Sequence, residues 1–217
     1  MLLIRLGVFP YHHNVKLINN LINFIYYLTK TEVEFMQVIT RKFNVNEYYK
    51  MAETGILTPE DRVELIRGEI IAMSAIGRKH AAAVNRLTNL FPPLLGNKAI
   101  ISVQNSIRLN NYSEPQPDIV LLKPRSDFYE SKIPETDDIY LVIEVADSTI
   151  KYDQEIKLPL YAESNINEVW IVNLNNKTLE VYRQTQDKTY LEKQKNVQSI
   201  SPLAFPDINL TISDIFG

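Results

Sequence analysis

Two segments leave this chain little freedom in how it folds. Residues 119–122, IVLL, and residues 139–147, IYLVIEVAD, are apolar almost throughout. A strand with apolar side chains on both faces must be covered on both faces, as central strands of layered α/β domains are. Each segment also carries an acid. Asp118 stands at the entrance of the first, behind Pro117, and Glu144 lies inside the second, between Ile143 and Val145. A carboxylate in such a place loses its water, which is costly unless it is paired or bound to a metal.

The surroundings of these strands follow from periodicity and turn chemistry. NVNEYYKMAE (44–53) predicts a short helix with Asn44 or Asn46 as N-cap. VELIRGEII (63–71) predicts a hairpin turning at Arg67-Gly68. RKHAAAVNRLTNLFPPLL (78–95) predicts a helix buried through Ala82, Val84, Leu87, Leu90 and Phe91 and ended by Pro92-Pro93. IISVQNSIRL (100–109) alternates as one strand with Ile101, Val103, Asn105, Ile107 and Leu109 on a single face. STIKYDQEIKLPLYAES (148–164) predicts a helix capped by Ser148 or Thr149 and kinked at Pro159. Three more strands are expected at 168–174, 178–184 and 189–195.

The parse is one α/β (α+β) domain over residues 36–217, a mixed β-sheet core flanked by helices. Residues 1–35 read as a non-core extension, and Met36 as a candidate true start. LINNLINFIYYLTK (17–30) is apolar but broken by asparagines, and its unbroken pieces fall far short of the roughly 20 residues a membrane span requires. No membrane association is expected, and a cytoplasmic location is. The chain has no cysteine, which excludes a disulfide framework, a zinc-thiolate site and a cysteine nucleophile. A net charge of −3 argues against an all-over basic surface, though one local patch could still meet nucleic acid.

Two carboxylates on neighbouring buried strands repel each other and call for a cation. Mg²⁺, with Mn²⁺ as a substitute, resolves the conflict, because hard divalent ions take oxygen ligands and are held by one or two carboxylates plus water and phosphate. The Val145 carbonyl is a candidate further ligand. The expectation is that this metal compensates Asp118. The following helix supplies a cation: Thr149, Asp153, Lys157 and Tyr161 recur every four residues and share one slowly drifting face.

Pro117-Asp118 followed by Glu144-Val145-Ala146 resembles the PD-(D/E)XK nuclease signature. The chain from residue 44 onward resembles the Uma-two-type restriction-endonuclease family, abundant in cyanobacteria, through ELIRGEIIAMS, KHAAAVNRL, PQPDIVLL, LVIEVADST, DQEIKLPLYAES, INEVWIVNL and FPDINL. The resemblance implies a restriction-endonuclease-like fold and a Mg²⁺-dependent endonuclease acting on DNA. It assigns metal binding to Asp118 and Glu144 and an upstream acid to Glu64. Ala146 stands where the superfamily signature has its lysine. That role passes to Lys157 on the next helix, with Lys151 as competitor. His80, Gln104 and Asp153 are candidates for the surrounding shell. A homodimer would allow both strands to be cut. Two other readings compete: a catalytically inactive nuclease-fold module that binds DNA or a protein partner, and a metal-free domain in which Glu144 and Lys157 form a structural ion pair.

Overall fold

A computed structural model describes residues 40–58 and 60–217, so the expectations for residues 1–35 and Met36 lie outside the described residues. Residues Arg41–Gly217 form one compact unit.

Its centre is a six-stranded mixed sheet in the order β3-β4-β5-β6-β7-β8. The strands are β3 (Ile100–Val103), β4 (Ile119–Leu122), β5 (Ile139–Ala146), β6 (Glu168–Asn173), β7 (Thr178–Gln186) and β8 (Thr189–Lys195). Only β5 and β6 run parallel. A parallel pair requires a crossover connection, and residues 150–163 provide it as a helix, α3. The expectation of central strands holds: every residue of β4 is buried, and β5 is buried from Leu141 to Ala146.

Each face of the sheet has its own core. On one, α2 (Arg78–Leu95) packs Ala83, Val84, Leu87, Phe91 and Leu95 against Ile119, Leu121, Ile143 and Val145. The C-terminal segment joins this core through β9 (Ser199–Ile200), β10 (Leu210–Thr211) and the short helix α4 (Ile212–Phe216), contributing Ile200, Leu210 and Ile215. On the other face, Tyr161 of α3 packs with Val120, Val142, Ala146, Val169 and Ile171.

A separate hairpin, β1 (Val63–Ile66) and β2 (Glu69–Ala72), stands beside the sheet. Its turn lies at Arg67 (φ 50°) and Gly68 (φ 77°) as expected, the two positive φ values of a tight hairpin turn. Gly68 has a second reason to be glycine: a Cβ there would stand 2.6 Å from Lys42 Cβ. The hairpin is tied down by the Gly68 N–H on Tyr112 O (2.7 Å) and the Glu114 N–H on Leu65 O (2.8 Å). The helix α1 (Val45–Glu53) is capped by Asn44, whose side chain accepts from the Glu47 N–H.

Three local expectations are corrected. The helix α2 does not stop at Pro92-Pro93 but includes both and runs to Leu95. Phe91 and Leu95 are buried one turn apart on the same side, and their packing outweighs the backbone hydrogen bonds the prolines forgo. Its buried face carries Ala83, while Ala82 is exposed. The segment 100–109 is not one strand. Gln104 adopts φ 50° directly after Val103, so Ile101 and Val103 pack on the α2 side while Ile107 and Leu109 pack on the α3 side.

The helix α3 carries an irregularity just before Pro159. Between Ile150–Tyr152 and Leu158–Glu163 it makes a π turn, Asp153–Lys157, in which the Leu158 N–H reaches back to Asp153 O. Such turns are inserted where a regular helix would misplace side chains, frequently at functional sites.

Candidate active site

The register of β4 and β5 builds the site. Ile119 pairs with Ile143. One further residue along this antiparallel pair sets Asp118 opposite Glu144, which puts both side chains on one face. Their proximity is direct: the Asp118 N–H points at Glu144 Oε2 at 3.4 Å. The hydrogen-bonding edge of β5 contributes as well. Val145 N–H donates to Asp118 Oδ2 at 2.8 Å. A strand residue's N–H and C=O point the same way, so the Val145 carbonyl also faces Asp118.

The helix α3 delivers the cation. Each four-residue step in a regular α-helix overshoots a full turn by about 40°, so Lys157 would drift away from Thr149 and Asp153. The wider π turn takes back part of that drift. Lys157 is buried and its ammonium meets three acceptors: Glu144 Oε1 at 3.2 Å, Glu64 Oε2 at 3.3 Å and Gln116 O at 3.3 Å. Burial works to lower its pKa, but Glu144, Glu64, Asp153 and Asp118 overcome it and hold the ammonium protonated. Lys151 is exposed, which removes it from the site.

Glu64 reaches this point from β1 with both oxygens engaged. Oε1 accepts from Tyr152 OH at 3.0 Å, and Oε2 from the Gln116 N–H at 3.0 Å as well as from Lys157. Glu144 Oε1 accepts a further short bond, 2.5 Å, from Tyr161 OH. Asp153 accepts from Thr149 Oγ1 at 2.8 Å.

The two opposed acids are tuned in opposite directions. Burial raises the Glu144 pKa, Asp153 and Asp118 add to the rise, and Lys157 and Tyr161 offset it only in part. Burial also works to raise Asp118, but His80 by hydrogen bond and charge, the Val145 N–H and the Gln104 amide outweigh it, and the net shift is downward. His80 Nε2 lies 3.0 Å from Asp118 Oδ2, and Gln104 Nε2 donates to Oδ1 at 3.2 Å. The His80 pKa is raised, chiefly by that bond to Asp118. Its Nδ1 is buried without a hydrogen-bond partner among the described residues. In the metal-free chain His80, the Val145 N–H and the Gln104 amide favour the charged form of Asp118, and Glu144 is the acid that burial leaves less compensated.

These groups line a cavity of about 430 Å³ together with Ile71, Ala72, Met73 and Ile76 from β2 and the segment after it, and with Asp147. Among the described residues no three His, Asp or Glu side chains are grouped to hold a metal by themselves. A cation here would rest on Asp118, Glu144 and the Val145 carbonyl, an all-oxygen set suited to a hard divalent ion that keeps part of its water.

Of the residues proposed from the sequence, Asp118, Glu144, Val145, Lys157, Glu64, His80, Gln104 and Asp153 lie at this cavity or in direct contact with its lining, and Lys151 does not. Asn105, next to Gln104, stays outside it: it is exposed and donates to Ser102 Oγ at 3.2 Å. Sequence reasoning missed Gln116, Tyr152 and the hydroxyl of Tyr161. Tyr161 stood on the four-residue ladder and could have been found there. Gln116, inside PQPD, acts mainly through its backbone, which no residue-type signal reveals.

The Uma2 family, described as "Putative restriction endonuclease", matches residues 45–213. The chain belongs to the Uma2 family. No curated protein matches it. Among solved structures, one described as "a putative nuclease belonging to DUF820" from Anabaena variabilis is similar, with a TM-score of 0.61 and 18% identity over 80% of this chain and 97% of that one. At that identity the likeness speaks for the fold: this Uma2 chain has the restriction-endonuclease-like α/β architecture expected of it. Among the described residues no helix is long and apolar enough to cross a membrane.

Proposed function

We propose that this protein is a Mg²⁺-dependent endonuclease that hydrolyses DNA phosphodiester bonds. The observation that carries this reading is the pairing of Asp118 with Glu144 across β4 and β5, with the Lys157 ammonium 3.2 Å from Glu144. Membership of the Uma2 family supports it. The donor set fits the ion. It is all oxygen, and the acids lining the cavity carry more negative charge than Lys157 offsets. When bound, Mg²⁺ supplies Lewis-acid polarisation and a water of lowered pKa.

The chain's own groups have separable tasks. Asp118 is held in place by the Val145 N–H, His80 and Gln104, so its carboxylate is oriented before any ligand arrives. Lys157 stays protonated and presents fixed positive charge where negative charge builds on a phosphoryl group. Glu64 holds Lys157 and is itself held by Tyr152 and Gln116, which makes it a positioning residue. Tyr161 orients Glu144.

The test is cleavage of supercoiled plasmid and of single-stranded DNA with and without Mg²⁺. Wild type is expected to cut only with the metal, and Glu144→Ala not at all. Equal cutting by both, or cutting in excess chelator, overturns the proposal. A second reading has one observation in its favour: both Glu64 oxygens and the Lys157 charge already have partners within the chain. It makes the protein a nuclease-fold module that binds DNA or a protein partner without cutting. DNA bound but left intact with either Mg²⁺ or Mn²⁺ would select it.

A further inference from the structure

A polyanion entering this cavity meets mostly acids. Glu64, Asp118, Glu144, Asp147 and Asp153 all line it, against Lys157 and Arg62 as the strong cations. Lys157 is buried, and its charge is already engaged by Glu64 and Glu144 at 3.2–3.3 Å and by Gln116 O. Arg62 differs. It is exposed and forms no ion pair among the described residues. It precedes Glu64 by two positions, which puts it on the same side of the β1 chain. One of its N–H groups, on Nη1, donates to Ser74 O at 3.2 Å, and the Met73 N–H returns a bond to Arg62 O at 2.8 Å. The guanidinium is thus fixed to the segment after β2 that lines the cavity. Four of its five N–H donors remain for a ligand.

We propose that Arg62 is a substrate-binding residue that grips a phosphate of the DNA backbone next to the one being cut. This rests on the nuclease reading and adds to it a contact that is not part of the carboxylate and lysine constellation. The chemistry suits the task. A guanidinium binds phosphate through paired N–H groups and remains charged at any working pH. Anchoring one N–H on Ser74 O reduces the freedom lost when the rest engage. The position suits it too: Arg62 lines the cavity and is exposed, while Glu64, Glu144, Asp153 and Lys157 are buried.

The experiment is equilibrium binding of a labelled DNA duplex and a labelled single strand by fluorescence anisotropy. Ca²⁺ replaces Mg²⁺ to prevent cutting, and the titration is repeated over a range of salt. Wild type, Arg62→Gln and Arg62→Ala are compared, with melting temperature with and without Mg²⁺ recorded for each. Arg62→Gln keeps a donor for Ser74 O and removes the charge. Both variants are expected to bind about tenfold more weakly, the effect of losing a charged hydrogen bond. The slope of log affinity against log salt is expected to fall by about one phosphate contact. Their Mg²⁺-induced melting shift is expected to match wild type. Wild-type affinity and slope in Arg62→Gln would overturn the proposal and leave Arg62 as a prop for the 73–77 segment. A lost Mg²⁺ shift in both variants would overturn it too, by placing Arg62 in the metal site. DNA binding by none of the three proteins would overturn the nuclease reading itself.

Discussion

Glu144 in β5 and Glu168 in β6 are buried in neighbouring strands of one sheet, and they are kept there in opposite ways. Glu168 has a cation to itself. Arg183 grips its Oε1 through two nitrogens at 2.7 and 2.8 Å, Trp170 Nε1 adds a bond at 2.9 Å, and the Leu203 N–H satisfies Oε2 at 2.7 Å. Glu144 shares a single lysine with Glu64, and Asp118 and Asp153 press further negative charge upon it. Glu168 sits in closed packing, whereas Glu144 lines a cavity. A balanced and enclosed pair fastens the C-terminal segment to the sheet. An unbalanced and accessible one is an arrangement that stability alone does not account for.

The largest effect that could break this contrast concerns the balanced pair. Arg183→Met leaves Glu168, fully buried, without its cation, and is expected to cost about 3–5 kcal/mol in urea unfolding while leaving Mg²⁺ binding intact in the folded fraction. A loss below about 1 kcal/mol would mean that the two carboxylates do not differ in kind.

Lys157→Met comes next. It removes the cation of the unbalanced site, but Glu144, whose pKa burial pushes up to about 8, can stand there uncharged. The expected loss is about 2–3 kcal/mol, smaller than for Arg183→Met. The same unfolding measurement checks it, and a larger loss than for Arg183→Met would reverse the ranking.

The third effect is a pH dependence. Glu144 holds its proton in the folded chain up to about 8, against an ordinary 4.5. The folded state then binds more protons than the unfolded state within that window, so stability falls as pH rises through it. His80, raised by Asp118, acts in the same direction, and Asp153, raised to about 6 by burial, does so at lower pH. The metal-free protein is expected to melt at a lower temperature at about pH 8.5 than at about pH 7. Glu144→Gln should flatten the dependence, and a wild-type melting temperature that rises over this range would sink the assignment.

The smallest effect separates the two acids of the site. Asp118 is stabilised in its charged form, so Asp118→Asn is expected to cost the metal-free protein about 0.5–1.5 kcal/mol at pH 7, the worth of a hydrogen bond weakened. Glu144→Gln is expected to cost nothing or to stabilise. Equal signs for the two would show that they are one coupled pair rather than two differently tuned groups.

Much of the frame was legible in the chain. The apolar runs 119–122 and 139–146, the hairpin at Arg67-Gly68 and the helix beginning at Arg78 all rest on local rules of period and turn geometry. So does the presence of one acid in or beside each central strand. Pro92-Pro93 and the strand over 100–109 misled for a shared reason: packing over several turns overrode a local signal. Phe91 and Leu95 hold α2 together past its prolines, and the left-handed Gln104 sends Ile107 to the opposite core.

By itself the sequence determined the types of residue available and the elements that carry them, because side-chain periodicity and backbone sterics act over a few residues. The tertiary structure decided which of them meet. The β4–β5 register set Asp118 opposite Glu144, and a shift of one residue would have sent the two to opposite faces. The π turn chose Lys157 over Lys151. His80, from the helix on the far face, reached Asp118 across the sheet end and made it the stabilised acid. Gln116 entered through its backbone, and Tyr152 and Tyr161 through their hydroxyl groups. Such encounters depend on contacts dozens of residues apart in the chain, where the energy of packing two cores fixes positions that no local preference specifies.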